Sequence, residues 1–224
     1  MELPEFAVVI PAFNEERAIG GVLSNLKTLA PLMIVVDDGS SDRTGEIAKS
    51  FGAVVLRHEI NRGLGASLQT GFRKALELGS EYVVTMDADG QHRASDVPRL
   101  LEALRERNAD MVIGARVFRS APAFRRIYNF IANLVSYFLL GVRVSDTQSG
   151  LRAFRAELLK KMRILGDRME ISSELVGEAR RLGAKIIEIP IEPIYTSYSL
   201  SKGQSFTMGV KTFFSLLIHK FLKR

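Results

Sequence analysis

Four short apolar runs, each closed by polar turn residues and separated by helical patterns, constrain this chain more than any other feature. Phe6 to Ile10 closes at Pro11, and Met33 to Val36 ends in Asp37-Asp38-Gly39-Ser40-Ser41-Asp42. Ala53 to Leu56 precedes Asn61-Arg62-Gly63-Leu64-Gly65, and Tyr82 to Met86 ends in Asp87-Ala88-Asp89-Gly90-Gln91-His92. Continuous apolar runs rich in β-branched residues fit strands covered on both faces. Between them, Ile19, Val22, Leu23, Leu26 and Leu29 recur at helical spacing. A second helix, capped by Ser41 or Asp42, closes at Phe51-Gly52, and a third runs from Ser67 to Leu78 and stops at Gly79. This β-α-β-α-β-α-β order predicts a parallel, doubly wound sheet. Each strand delivers its polar residues to the carboxyl edge, where open α/β sheets bind ligands.

Asp87 and Asp89 therefore stand at a binding edge. Two carboxylates one residue apart suit one hard divalent cation, Mg2+ or Mn2+, which prefers carboxylate and water oxygens and bridges to phosphates. An Asx turn with a helix cap explains the same residues without a ligand. Gly63-x-Gly65 lacks a third glycine and does not follow the first strand, so it is no dinucleotide fingerprint. Its glycines instead let backbone and a helix N-terminus approach a ligand or a neighbouring chain segment. There is no Walker A lysine loop, Gly-x-Ser-x-Gly elbow or His-Glu-x-x-His helix, and the kinase, serine hydrolase and zincin readings lapse.

A further helix is expected from Asp96 to Leu104 and a strand from Asp110 to Gly114, leading to Arg116. Beyond it the pattern turns mainly helical, with Ile127 to Leu140, Ala156 to Met162 and Ile171 to Leu182, then a strand from Lys185 to Ile189. The polar loop Asp146 to Arg152, set between apolar segments, is an expected functional loop; its alternative is a turn capping the next helix. Pro190 to Gln204 reads as a mobile loop. With 224 residues and 46% of them hydrophobic, one core is easily filled, and residues 1–205 read as one domain with a basic amphipathic helix at 206–224.

Charge is unevenly spread. No acid lies between Asp110 and Asp146, where Arg116, Arg119, Arg125, Arg126 and Arg143 interleave with aromatic residues, and none follows Glu192. Cationic, apolar stretches of this kind fit a membrane surface with anionic lipids. A core-facing helix with a solvated charged face is the alternative. Basic residues among aromatics also suit single-stranded nucleic acid, but nucleic acid is not the expected partner. The absence of cysteine excludes disulfides and thiolate metal sites, and three scattered histidines make a zinc site unexpected. Met1 to Glu5 lacks a signal-peptide pattern, and no apolar run reaches the about 20 residues of a membrane span. The expected location is cytoplasmic, peripheral on the inner face of the membrane.

Six segments occur in an order that resembles glycosyltransferase family 2: Pro11-Ala-Phe-Asn-Glu15, Asp37 to Asp42, Asn61-x-Gly63-x-Gly65, Asp87-Ala-Asp89-Gly-Gln91, Gly114-Ala-Arg116 and Asp146-Thr-Gln-Ser-Gly150. Within the family, the likeness is to dolichyl- and polyprenyl-phosphate sugar synthases. The resemblance implies a GT-A fold, a GDP- or UDP-linked sugar donor, a divalent metal and inversion at the anomeric carbon. The sugar, mannose or glucose, would pass to a polyprenyl or dolichyl phosphate. It places the donor against Pro11, Phe13, Glu15, Asp38, Gly63, Gly65, Ala88 and Gln91, with Asp87 and Asp89 holding the metal. Arg116 would reach the phosphates, and the loop from Asp146 would shape the sugar and acceptor site. Where relatives carry Arg-x-x-Gly-x-Ser-Lys, this chain has Ser199-Leu-Ser-Lys202-Gly-Gln-Ser205, leaving Lys202, with Arg125 and Arg126, to meet the acceptor phosphate.

A phosphate acceptor is already an anion near neutral pH, its second pKa being about 6, so it needs no general base. A hydroxyl acceptor would need one, and Asp146, Asp87 or Asp89 would be the candidates. The rival readings are a family 2 enzyme acting on a soluble or polysaccharide hydroxyl, a nucleotidyltransferase, and a non-catalytic nucleotide-binding membrane adaptor.

Overall fold

A computed structural model of the chain describes residues 5–117, 144–166 and 171–194. Seven strands form one sheet: β1 (Phe6–Ala12), β2 (Leu32–Asp37), β3 (Val54–Arg57), β4 (Tyr82–Thr85), β5 (Met111–Arg116), β6 (Arg152–Arg155) and β7 (Ile186–Ile191). Their order is β3-β2-β1-β4-β6-β5-β7. All pairings are parallel except those of β6, which runs antiparallel to β4 and β5. The helices are α1 (Ile19–Leu26), α2 (Thr44–Ser50), α3 (Leu64–Glu77), α4 (Asp96–Glu106), α5 (Ala156–Lys161) and α6 (Ile171–Arg181).

The continuous apolar runs are explained by burial on both sides. Successive strand residues point to opposite faces. Val8, Ile10, Val35 and Val84 meet Ile19, Leu23 and Leu26 of α1 and Val97, Leu100 and Leu104 of α4. Ala7, Val9, Ile34 and Val83 meet Leu68 and Phe72 of α3 and Leu175 and Val176 of α6. Phe72 also packs edge-on against Phe154 of β6, with ring centroids 5.6 Å apart. Burying each such aliphatic side chain contributes about 1.5–3 kcal/mol before entropy is counted.

Two local differences from expectation have physical causes. β1 continues through Pro11 to Ala12. Its register with β4 ends at Val9↔Thr85, while that with β2 runs on to Ala12↔Asp37. Pro11 therefore sits where one neighbour has already diverged, and its missing N–H costs no ladder bond on that side. α3 starts at Leu64, immediately after Gly63, so Gly65 lies inside the helix rather than in a loop.

The larger difference is β6. Arg152 is expected to end a polar loop and no element is expected over 153–155, yet Arg152–Arg155 forms a strand between β4 and β5 and makes the sheet mixed. The fold remains mainly parallel. The expected Ile127–Leu140 helix, the part of the loop beyond 194, the helix at 206–224 and the boundary at 205 lie outside the described residues. Among the described residues, no helix is long and apolar enough to cross a membrane.

Candidate active site

Strand order reverses between β1 and β4, since β1, β2 and β3 run outward one way and β4 begins the other half. Such a switch point opens a crevice at the carboxyl edge. On its first side, the β1–α1 turn and the β2–α2 turn are fastened together. Asn14 N–H donates to Ser40 Oγ at 3.0 Å, Ser41 N–H to Asn14 Oδ1 at 2.9 Å, and Glu15 N–H to Thr44 Oγ1 at 2.8 Å. Asp42, one of the two expected caps, accepts the Thr44 N–H at 3.0 Å. Phe13 projects from this assembly, 45% exposed.

Asp38 is buried and already engaged. Its carboxylate accepts His58 Nδ1 at 2.7 Å, Arg62 N–H at 2.9 Å and Gly63 N–H at 2.8 Å, while His58 Nε2 meets Thr70 Oγ1 at 3.0 Å. Asp38 thus folds the glycine loop over the end of β2. Gly39, with φ +74°, lies beneath that loop; a Cβ there would come 2.6 Å from the Ile60 carbonyl carbon.

On the other side, β4 delivers Asp87, Ala88 and Asp89. His92, buried, approaches Asp87 Oδ2 with Nε2 at 3.1 Å. Burial alone would raise the Asp87 carboxyl, but the His92 hydrogen bond and the charges of His92, Arg116 and Arg152 outweigh it and hold it below the usual range. Asp89 moves the opposite way, raised by burial first and by repulsion from Asp87 second, although Gln91 donates to it from both backbone and side chain. Ala88 is buried between the two acids.

The loop from Asp146 closes the far side of the crevice. Asp146, fully buried, takes the Arg116 fork through Nε at 2.6 Å and Nη2 at 2.9 Å, and also accepts Gln148 N–H at 3.2 Å. Glu188 of β7 holds the loop's start through Ser145 N–H at 2.8 Å. Gln148 Nε2 reaches Ser173 Oγ of α6 at 3.2 Å. The Gly150 carbonyl accepts Thr85 Oγ1 at 2.8 Å, and a Cβ on Gly150 would collide with the Asp87 carboxylate. The loop and the acid turn are in direct contact.

The site therefore unites Asp87, Asp89, Gln91, Arg116 and Asp146, with Pro11 beside Asp87 in one small cavity. Arg125, Arg126 and Lys202 lie outside the described residues. A larger cavity of about 770 Å³ opens between α1 and the acid turn, walled by Arg17, Asn25, Leu29, Met86, Asp89 and Ile194 rather than by Phe13, Glu15 or Asp38. Gly150 and Arg152 are expected only as members of the polar loop from Asp146, and His92 is not singled out for the site.

The donor set fits a hard cation. Asp87 and Asp89 repel each other, and that repulsion, which adds to burial in raising Asp89, is what a divalent charge would relieve. Among the described residues no third acidic or histidine ligand completes a cluster. Mg2+ and Mn2+ tolerate this, since they keep waters and take substrate phosphate oxygens.

The family model described as "Glycosyl transferase family 2" matches residues 7–163. The UDP-N-acetylglucosamine–dolichyl-phosphate N-acetylglucosaminyltransferase of Methanococcus voltae is 34% identical, covering 95% of each chain. The undecaprenyl-phosphate mannosyltransferase of Micrococcus luteus is also 34% identical, over 82% of this chain and 81% of its own. In structure, glucosyl-3-phosphoglycerate synthase of Mycobacterium tuberculosis, crystallised with Mn2+, UDP and glucosyl-3-phosphoglycerate, aligns with a TM-score of 0.77 at 22% identity, over 97% of this chain and 80% of that one. That likeness shows the GT-A fold. With six ordered motifs on one sheet edge and relatives of this similarity along nearly its whole length, the chain belongs to glycosyltransferase family 2.

Proposed function

We propose that this enzyme transfers a hexose or N-acetylhexosamine from a UDP- or GDP-linked donor to a polyprenyl or dolichyl phosphate. The observation that carries the acceptor is the Asp146–Arg116 fork. A general base needs a lone pair aimed at the hydroxyl it deprotonates, and Asp146 instead receives both arms of Arg116 and a backbone N–H. Asp87 and Asp89 are the metal carboxylates. That leaves the anticipated bases committed elsewhere, which suits an acceptor that is already anionic. The sugars named in the relatives, N-acetylglucosamine and mannose, support this donor class.

In this reading Phe13 stacks on the base, Glu15 and the Asp38-held Gly63 loop flank the ribose, and Gly65 opens α3 beneath it. Asp87 and Asp89 would hold a Mg2+ or Mn2+ ion, which would supply positive charge for the leaving diphosphate. Gln91 orients Asp89. Asp146 holds Arg116 in a planar, fixed presentation at the crevice, where its outer edge faces phosphate oxygens. Arg125, Arg126 and Lys202 add to that cationic surface, and the basic 206–224 segment keeps the enzyme, one domain over 1–205, at the cytoplasmic membrane face.

The test is transfer of labelled sugar from a panel of GDP- and UDP-sugars to a short polyprenyl phosphate, with Mn2+ or with EDTA. Lipid-extractable product that needs the metal and is lost in Asp89→Ala is expected. Product formed equally well in EDTA would remove the metal from the reading.

A further inference from the structure

Arg152 is a buried cation that the chemistry above does not use. It opens β6, where its register partners are Thr85 of β4 and Ile113 of β5. Only 2% of it is exposed. Nη2 donates to the Thr147 carbonyl at 2.7 Å, but the buried Nε has no hydrogen-bond partner. An unmatched, charged N–H in a core is costly and calls for a compensating role.

Its surroundings supply that role. Arg152, Asp87, Ser149 and Gly150 line one small cavity at the crevice floor. Burial lowers the guanidinium to about 10 against the pull of Asp146 and Asp87, with Arg116 pushing the same way as burial, so it stays charged at neutral pH. Arg152 feels the charges of Asp146, Asp87 and Arg116. The loop touches the acid turn at Gly150, and Arg152 grips the same loop at Thr147.

We propose that Arg152 is a positioning residue with two linked effects: it anchors the 146–150 loop against the acid turn, and its fixed charge balances Asp87 until a divalent cation arrives with the donor. This rests on the metal reading of Asp87 and Asp89. A cation arriving alone is repelled by Arg152, whereas one carrying a nucleoside diphosphate brings compensating negative charge. The enzyme accordingly takes up metal and nucleotide together, binding free Mn2+ weakly and Mn2+ with UDP or GDP tightly.

The experiment is a Mn2+ titration of the full chain by electron paramagnetic resonance, with and without UDP or GDP, on Arg152→Met, Arg152→Gln and Arg152→Lys. Loss of the charge is expected to tighten binding of Mn2+ alone by about threefold or more, while transfer falls on the order of 10–100-fold because the loop loses its anchor. A purely structural role would weaken both. Arg152→Lys, keeping the charge but not the guanidinium that reaches the Thr147 carbonyl, is expected to bind Mn2+ as the unaltered chain does and still transfer poorly. Unchanged or weaker Mn2+ binding in a folded neutral variant overturns the proposal. If neither neutral variant folds, Arg152→Lys decides, and a Mn2+ affinity different from that of the unaltered chain overturns it. Undiminished Mn2+ binding by Asp89→Ala would instead contradict the metal reading itself.

Discussion

Asp146 receives Arg116 three times, from its backbone N–H at 3.2 Å, from Nε at 2.6 Å and from Nη2 at 2.9 Å. The carboxylate is 1% exposed and the arginine side chain 21%. A pair so placed fixes an orientation and leaves little for proton transfer. Breaking either end deprives the other, partly buried charge of its fork, at a cost of about 3 kcal/mol.

Asp146→Asn and Arg116→Lys are therefore expected to lower kcat/KM by similar factors, on the order of 10–100-fold, because each breaks the same fork. The double variant should be little worse than either single one. Steady-state kinetics on the three proteins checks this. If Asp146 were a base, Arg116→Lys would leave its proton chemistry intact and the two losses would multiply.

Gly150→Ala is expected to abolish metal-dependent transfer while leaving the fold in place, since the added methyl lands on the Asp87 carboxylate. Circular dichroism and Mn2+ binding, measured together, separate a displaced carboxylate from an unfolded chain. Normal Mn2+ affinity in this variant would mean that the loop and the acid turn move independently.

The acid turn also predicts a pH dependence. Protons compete with the cation for carboxylate oxygens, and the pair titrates as a unit. Burial and then Asp87 raise the Asp89 carboxyl, whereas Asp87 is held low because its His92 bond and the nearby positive charges outweigh burial. As pH falls, Mn2+ affinity should begin to drop at a higher pH than an ordinary aspartate would give, with Asp89 governing the decline. Asp87→Asn removes the repulsive charge and should shift the onset downward, read by Mn2+ titration across pH.

Much of this was legible because apolar runs rich in β-branched residues and closed by polar or turn residues fit strands that are covered on both faces and end at a polar edge. β1 to β5 and the acid turn followed from that pattern. β6 did not, because Arg152 and Arg155 bracket only Ala153 and Phe154, and a run so short and so charged reads as loop. Its apolar partners are supplied by β4 and β5, which are distant in the chain. The same tertiary neighbours hide Arg152, whose burial depends on Thr85 and Ile113 beside it. Asp38 was expected at the site, but its capture by His58, Arg62 and Gly63 depends on how the loop after β3 folds back. No local pattern carries that.

Away from the site, Phe72→Ala removes the ring packed on Phe154 and is expected to cost about 3–5 kcal/mol in urea unfolding. At temperatures where the variant stays folded, transfer per folded molecule should be unchanged, because α3 contributes Phe72 to the core beneath the sheet and not to the crevice.

The most direct test of the central claim offers the enzyme one prenyl chain in two forms, the phosphate and the free alcohol, with the same labelled nucleotide sugar and Mn2+. A site without an available base should glycosylate the phosphate and leave the alcohol untouched, with no added basic limb in the pH–rate profile. Transfer to the alcohol at a comparable rate would contradict the account, and its loss in Asp146→Asn but not in Arg116→Lys would make Asp146 the base.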